Sequence, residues 1–352
     1  MKIKPIFLSI ILLSFVVLLA ACGKSSSESS GGDEVYEFDF NIQPPAVHNY
    51  AKTVKNWAEY VEKETDGRIK INIYPSAALG PYESVYEDIA GGVYDIGYAN
   101  PSVQDDTMLF PLSIGELPFS LSDPFDKRKI IEKFNQRFLS DKYDDNVTFL
   151  SFTGSDPYHI VSKTPIKSLT DLKGKKINGI GDEKVQLVNL WGGSPVSLSQ
   201  ADLYEALERG TVDSVIYPAI GSIGFSFYEV APYLTRVSID SQSWVNLINT
   251  ESLNRLPADL KKRFLEEFGP LLADMPAEMY VTEQENALKK FESKDGQIIE
   301  LEESELEKFR APAKEVWENW VNKANSKGYP GDEMMNYYLE LLEAEGIESP
   351  YK

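Results

Sequence analysis

The sequence predicts an α/β fold built from two lobes. Its 352 residues are too many for one small hydrophobic core and suffice for two. Segments of strand periodicity alternate with segments of helical periodicity, an order typical of parallel strands joined by right-handed helical crossovers. This order begins twice, near residues 36 and 147. We therefore expect two α/β lobes, followed by a helical C-terminal region.

The first lobe begins with alternating strand and helix signals. Aromatic and acidic residues alternate at 36–40, which indicates a half-buried strand, and apolar residues at helical spacing over 47–61 predict a helix after it. Alternating isoleucines predict a strand at 69–73, residues 82–90 a short helix, and residues 93–98 a third strand. This is the order of a parallel α/β unit.

The second lobe is predicted from a similar order further along the chain. Strands are expected at 147–152, 158–162, 175–177 and 212–217, and helical segments at 169–172, 185–191 and 201–208. The C-terminal region has helical periodicity over 256–268, 277–291, 303–324 and 333–345. We expect Pro270 and Pro276 to separate the first two of these helices, because proline inside a helix removes a hydrogen bond. Trp317 and Trp320 are expected to pack the tail onto a lobe.

The two halves share a spaced motif. Residues 86–95 read Tyr-Glu-x-Ile-x-x-Gly-x-x-Asp, and residues 204–213 read Tyr-Glu-x-Leu-x-x-Gly-x-x-Asp. Each predicts a helix end, a glycine that can adopt positive φ, and an acid that opens a strand. We expect both lobes to contain this helix-to-strand module.

The N-terminal segment has the features of an export signal. Two lysines precede an apolar run at residues 6–19, which is shorter than the ~20 residues of a membrane-spanning helix. The run ends in Leu-Ala-Ala-Cys, which resembles a bacterial lipobox. We therefore predict a lipoprotein signal peptide at 1–21, lipid attachment to Cys22 and a Ser/Gly-rich tether at 22–34. An ordinary secretory signal is the alternative.

Composition and motifs argue against several functions. The formal charge of −20 argues against nucleic-acid binding, since an acidic chain repels phosphate backbones. One cysteine and two histidines allow no intrachain disulfide and leave little for a zinc site. The chain has no Gly-x-Ser-x-Gly, His-Glu-x-x-His or phosphate-loop motif. We expect a protein that is not an enzyme and needs no cofactor or metal.

Several motifs occur in a fixed order from about residue 35 to residue 272. They are Thr-Asp-Gly-Arg at 65–68, Glu-Leu-Pro-Phe at 116–119, Leu-x-Asp-Leu-Lys-Gly-Lys-Lys-Ile at 169–177, Gly-x-Pro-Val at 193–196 and Tyr-Glu-Val-x-x-Tyr-Leu at 228–234. Together they resemble the TRAP (tripartite ATP-independent periplasmic) solute-binding proteins of the dicarboxylate type. The resemblance implies a two-lobed periplasmic-binding-protein fold with hinge strands, a long connecting helical region and a helical C-terminus. It also implies closure on one small ligand.

The chain departs from the family at positions that bind the ligand. The family usually has an arginine, which grips the substrate carboxylate in a bidentate manner, where this chain has Asn178. Gln200 stands where an aromatic residue is common, and Tyr217 where asparagine often precedes the proline. Near Tyr158, an arginine of the sialate-type relatives is absent. Either other donors hold a carboxylate, or the ligand is not a simple carboxylate.

Aromatic and amide side chains are the remaining candidates for the ligand site. His48 follows the first strand, and ligands of open α/β sheets bind at the carboxyl ends of strands. Amide groups donate and accept hydrogen bonds, and aromatic rings supply apolar or stacking walls. The predicted ligand-binding residues are Asn178, Tyr217, Gln200, His48, Tyr98, Trp244, Phe225 and Tyr158.

The predicted function is capture of a small organic metabolite by a monomeric extracytoplasmic lipoprotein, which is anchored to the bacterial cell membrane through Cys22. We expect residues 35–157 with about 245–275 to form lobe I, residues 158–244 with about 276–300 to form lobe II, and residues 301–352 to pack on both. The resemblance implies delivery to a TRAP-type permease driven by an ion gradient. A binding lipoprotein serving a sensor kinase or an ABC permease is the alternative. A surface hydrolase or lyase is disfavoured by the missing nucleophile and base.

Overall fold

A computed structural model describes residues 34–351. The predicted signal peptide, Cys22 and all of the tether except Glu34 lie outside the described residues. Within the described range, no helix combines the length and apolar character needed to cross a bilayer. The elements considered below belong to one compact unit that begins at Tyr36.

The first three strands form a parallel sheet in the order β2-β1-β3. The strands are β1 (Tyr36–Asn41), β2 (Ile69–Tyr74) and β3 (Ile96–Ala99), and the helices between them are α1 (Asn49–Glu64) and α2 (Val85–Ala90). The predicted order is confirmed. β3 begins three residues later than predicted, because the residues after α2 form a turn in which Val93 is exposed.

The second group of parallel strands has the order β7-β5-β6. These strands are β5 (Lys176–Asn178), β6 (Ser194–Val196) and β7 (Ser214–Pro218). Helices α4 (Asp182–Leu190), α5 (Leu203–Arg209) and α6 (Ala219–Gly224) follow them in turn, and α3 (Pro124–Phe138) lies earlier in the chain. β8 (Tyr233–Arg236) pairs antiparallel with residues 160–162, the end of a long strand that begins at Val147.

Two long strands connect the halves of the sheet. The segments 147–152 and 158–162 were predicted as separate strands, but they form one continuous strand, β4 (Val147–Ser162). From Val147 to Pro157 it pairs antiparallel with β9 (Ser241–Asn249), and from Tyr158 onward it pairs with β7. The dipeptide Asp156-Pro157 is typical of a turn, and Pro157 has no backbone N–H to donate within a sheet. An irregularity of register between Gly154 and Pro157 accommodates the proline inside the strand.

The repeated motif has the same conformation in both halves. Gly92 after α2 and Gly210 after α5 have positive φ angles of 69° and 71°. Asp95 and Asp213 then precede β3 and β7, and each carboxylate accepts a backbone N–H from the neighbouring strand, at 2.7 Å and 2.8 Å respectively. The predicted helix-to-strand module is therefore confirmed.

The C-terminal region is helical, as predicted, but its breaks differ. After α7 (Thr250–Asn254) and α8 (Ala258–Arg263), a π-helical turn (Phe264–Phe268) leads into α9 (Gly269–Glu292). The chain then forms β10 (Gln297–Glu300), α10 (Glu303–Arg310), α11 (Ala313–Ser326) and α12 (Gly331–Ala344).

The predicted break at the two prolines is wrong. Pro270 occupies the first turn of α9, where no N–H is needed, and Pro276 lies inside the helix. The packing of α9 on β4 and α1 offsets the hydrogen bond that Pro276 removes.

The tail packs onto the first half of the chain through buried tryptophans. The indole N–H of Trp317 donates to the carbonyl of Pro118 at 3.0 Å, and that of Trp320 donates to Ser113 Oγ at 2.8 Å. Both rings are nearly fully buried. The predicted packing role of these residues is therefore confirmed.

Candidate ligand-binding site

A cavity of about 720 Å³ lies where the carboxyl ends of the parallel strands meet. Residues that follow β1, β3, β5 and β6 contribute to its wall, as do the last residues of β7. β4, β9 and α9 supply further parts of the wall, as do residues within 76–83 and residues of and after α6. The parallel strands of both halves therefore direct their carboxyl ends at one space, the usual position of ligands in open α/β sheets. Its volume suits a small organic molecule.

Aromatic rings form most of the side wall. The ring centroids of Tyr98 and Trp244 lie 5.4 Å apart, and those of Tyr158 and Tyr217 lie 6.0 Å apart. These rings hold one another in place by edge and tilted contacts, so the wall is preformed. The aromatic residues that line the cavity are Tyr82, Tyr98, Tyr158, Tyr217, Phe225, Trp244 and Tyr280.

The structure brings seven of the eight predicted site residues to this cavity: Tyr217, Gln200, His48, Tyr98, Trp244, Phe225 and Tyr158. Asn178 does not line it. Its side chain is fully buried, and its amide donates to the carbonyl of Val196 at 3.0 Å. The asparagine side chain thus links the ends of β5 and β6 beside the cavity.

His48 lies at the wall and also starts a helix. Its Nδ1 accepts the backbone N–H of Tyr50 at 3.2 Å, which caps α1, and its ring centroid lies 6.2 Å from that of Phe225. Burial, assisted by the charge of Lys52, lowers the pKa of His48 to about 4. The imidazole is therefore neutral at pH 7.

Asp156 is a cavity residue that sequence reasoning missed. It lies in the irregular part of β4, is 1% exposed, and lines the cavity. Its Oδ2 accepts the backbone N–H of Ile220 at 3.1 Å, whereas its Oδ1 has no hydrogen-bond partner within the described chain. Burial raises the pKa of Asp156 to about 7, opposed by hydrogen bonds from backbone amides.

Two amide side chains complete the polar wall. The hydroxyl of Tyr158 donates to Gln242 Oε1 at 2.7 Å, which fixes that amide. Gln43 follows β1, and its buried Nε2 has no hydrogen-bond partner within the described chain. Both residues escaped the sequence analysis, because an isolated glutamine after a strand gives no signal of a site.

The cavity wall is poor in positive charge. Among the described residues that line it, none is a lysine or an arginine. The buried cation Lys184 does not line the cavity, and its Nζ lies 5.2 Å from the centroid of the Tyr158 ring. Lys184 is already paired with Asp240 at 2.5 Å and with Glu116 at 3.6 Å. In residues 34–351, no group of three or more acidic, histidine or cysteine side chains is placed to hold a metal ion.

A two-lobed α/β fold with a solute-sized cavity at converging strand ends defines a solute-binding protein of the periplasmic type. The family model for bacterial extracellular solute-binding protein, family 7 (DctP), matches residues 40–324. This match covers more than half of the chain, so the chain belongs to that family. Its members are extracytoplasmic solute-binding receptors, which confirms the predicted TRAP family, the two-lobed fold and the absence of an enzymatic role.

Individual relatives agree with this assignment. A solute-binding protein of Chromohalobacter salexigens is 28% identical over 200 residues, 55% of this chain and 58% of that protein. The sialic acid-binding periplasmic protein SiaP of Vibrio cholerae is 24% identical, over 73% of this chain and 80% of its own.

Solved structures share the fold. A TRAP solute-binding protein of Rhodoferax ferrireducens, in complex with copurified benzoate, superposes with a TM-score of 0.80 at 22% identity and covers 89% of this chain and 99% of its own. A marine metagenome TRAP protein specific for aromatic acid ligands has the same TM-score at 24% identity, over 88% of this chain and 99% of its own.

Proposed function

We propose that the chain is a lipid-anchored extracytoplasmic receptor that captures one small organic metabolite between its lobes and delivers it to a TRAP-type membrane permease. The observation that carries this proposal is the cavity at the converging strand ends, walled by rings from both halves of the sheet. Family membership supports the permease as the partner.

The aromatic wall favours a ligand with a flat apolar body. Flat rings stack on or contact aromatic faces over a large area, and this burial supplies most of the affinity. Structural relatives bind benzoate, metahydroxyphenylacetate and mandelate. For this chain we propose a ligand of similar size, and we assign Tyr98, Tyr217 and Trp244 to its contact surface.

We also propose that the lobes divide where β4 changes its pairing partner. Lobe I then contains residues 35–157 with about 245–275, and lobe II contains residues 158–244 with about 276–300. The change from β9 pairing to β7 pairing at Pro157 and Tyr158 supports this boundary. Closure would bend β4 and β9 near the cavity.

The anchor and the solute can be tested separately. Replacing Cys22 with serine should move the exported protein from the membrane fraction to the soluble fraction, and a variant that stays in the membrane fraction would contradict the anchor. Native mass spectrometry of the mature Cys22→Ser chain should show a bound small molecule, which denaturing extraction identifies.

Uptake of that molecule should require a TRAP permease. If deletion of the permease leaves uptake intact, the partner is an ABC permease or a sensor kinase, and this part of the proposal is wrong. A chain that carries no solute and responds to no metabolite in a thermal-shift panel would contradict the receptor function itself.

A further inference from the structure

We propose that the ligand carries a positively charged amine, and that the carboxylate of Asp156 is its partner in the cavity. This inference rests on the proposed solute-binding function and adds the charge of the solute. It departs from the acids that the structural relatives bind.

The carboxylate of Asp156 is not fully hydrogen-bonded within the described chain. Asp156 is 1% exposed, and a buried carboxylate is unfavourable unless hydrogen bonds or an opposite charge compensate it. Oδ2 receives one backbone N–H from Ile220, while Oδ1 is buried without a hydrogen-bond partner in the described chain, and Asp156 is one of the residues that line the cavity. An ammonium group in the cavity supplies both the missing donor and the missing charge.

The described wall of the cavity offers no cation that could pair with an acidic ligand. No lysine or arginine occurs among the described lining residues, and His48 is neutral at pH 7. Lys184 is separated from the cavity by the Tyr158 ring and is held by Asp240 and Glu116. A carboxylate in the cavity would therefore approach Asp156 with no cation in the wall to offset the repulsion.

Aromatic side chains surround the carboxylate of Asp156. Burial raises the pKa of Tyr217 and Tyr280, and the nearby charge of Asp156 raises both further. These rings line the same cavity. A cation beside Asp156 consequently faces aromatic rings, which attract it through their quadrupoles, whereas an anion is repelled by the ring faces.

The test uses three probes that share a phenol ring: tyramine, 4-ethylphenol and 4-hydroxyphenylacetate. Their affinities for the mature Cys22→Ser chain, freed of co-purified solute, are measured by calorimetry at pH 8. We expect tyramine to bind at least about tenfold more tightly than 4-ethylphenol, and the acid to bind most weakly. An acid that binds more tightly than the amine would overturn the proposal.

Asp156→Asn in the same background identifies the partner. It should weaken tyramine binding by at least about 30-fold, since removing one member of a buried charge pair has effects of that size or larger. It should leave 4-ethylphenol within about threefold. Asp145→Asn, which changes an exposed loop carboxylate, is the matched control and should leave all affinities unchanged. Equal tyramine binding by the wild type and Asp156→Asn would overturn the assignment.

A second measurement does not depend on any variant. Raising the pH from 5 to 7 should strengthen tyramine binding by up to about tenfold per unit, because the amine pairs with the ionised carboxylate of Asp156. The neighbouring Tyr158, Tyr217 and Tyr280 stay protonated in this range, since burial raises the pKa of each. His48 stays neutral, and Glu83 is an exposed carboxylate at the cavity wall. Affinity that falls as the pH rises would contradict the proposal.

If none of the three probes binds, the chemical identity of the co-purified solute tests the proposal. A solute with a basic nitrogen supports the proposal, and a solute without one overturns it while leaving the receptor function intact. If no probe binds, no solute co-purifies and no metabolite in the thermal-shift panel binds, both proposals are wrong.

Discussion

The ligand-free protein should become more stable when Asp156 is replaced by asparagine. Burial raises the pKa of this carboxyl from 3.8 to about 7 in the folded chain. At about 1.36 kcal/mol per pKa unit, this shift corresponds to a destabilisation of up to ~4 kcal/mol once the folded-state carboxylate is ionised. Asparagine preserves the shape and can still accept the N–H of Ile220, but it carries no charge.

The sign of the pH dependence follows from the direction of the shift. Because the folded state holds the proton more tightly than the unfolded chain, the wild type loses stability as the pH rises from about 4 to about 7, and the penalty is complete above that. The advantage of Asp156→Asn should therefore be near zero at pH 4 and should reach up to ~4 kcal/mol at pH 8. Burial raises the pKa of Glu183 to about 7 as well, but Glu183 is present in both chains, so the difference reports Asp156.

Urea denaturation at pH 4.5, 6 and 8, followed by circular dichroism on solute-free Cys22→Ser chains, measures this difference. Asp240→Asn is a useful comparison, because Asp240 is equally buried but paired with Lys184 at 2.5 Å. Loss of that pair should destabilise the fold by about 3–5 kcal/mol. If Asp156→Asn is less stable than the wild type at pH 8, the carboxylate is not an unpaired charge in the free protein.

Three further changes have defined outcomes. Lys184→Met removes the cation that forms ion pairs with Glu116 and Asp240 and should lower the free energy of unfolding by about 3–5 kcal/mol; an unchanged urea midpoint would contradict a buried ion pair. Gly210→Ala places a β-carbon at φ 71° and should destabilise the chain by about 1–2 kcal/mol in the same assay, and a stabilised variant would refute the left-handed turn. Trp244→Phe should reduce the ligand-induced change in tryptophan fluorescence; an undiminished change would place the ligand away from this ring.

Periodicity predicted the elements whose two faces differ in polarity. β1 alternates because one face of it is buried, and α1 repeats apolar residues because one side packs on the core. β4 was divided wrongly because both its faces are buried, so the only visible signal was Asp156-Pro157, a dipeptide typical of turns. The predicted helix break at Pro276 was wrong because tertiary packing can keep a helix continuous through a proline, and the local sequence does not reveal that packing.

The candidate site was predicted in part from the family pattern and in part from the position of His48 at a strand end. The motif order placed Gln200 and Tyr217 at the cavity. It could not place Asn178, because this side chain is too short to reach beyond the carbonyl of Val196. Asp156 gave no signal, since a strand irregularity that exposes a carboxylate to a cavity depends on pairing with β9, which is distant in sequence.

β4 passes through both halves of the sheet, and this has a consequence for unfolding. β4 pairs with β9 in one half and with β7 in the other. If its backbone hydrogen bonds are lost in one half, the adjoining residues that pair in the other half are loosened as well. α9 adds a second shared element, because its 24 residues pack on β4 and α1 and also on α6. Chains of two lobes often melt in two steps, but this connectivity couples the lobes into a single cooperative transition. One denaturation midpoint can then report a substitution made in either lobe.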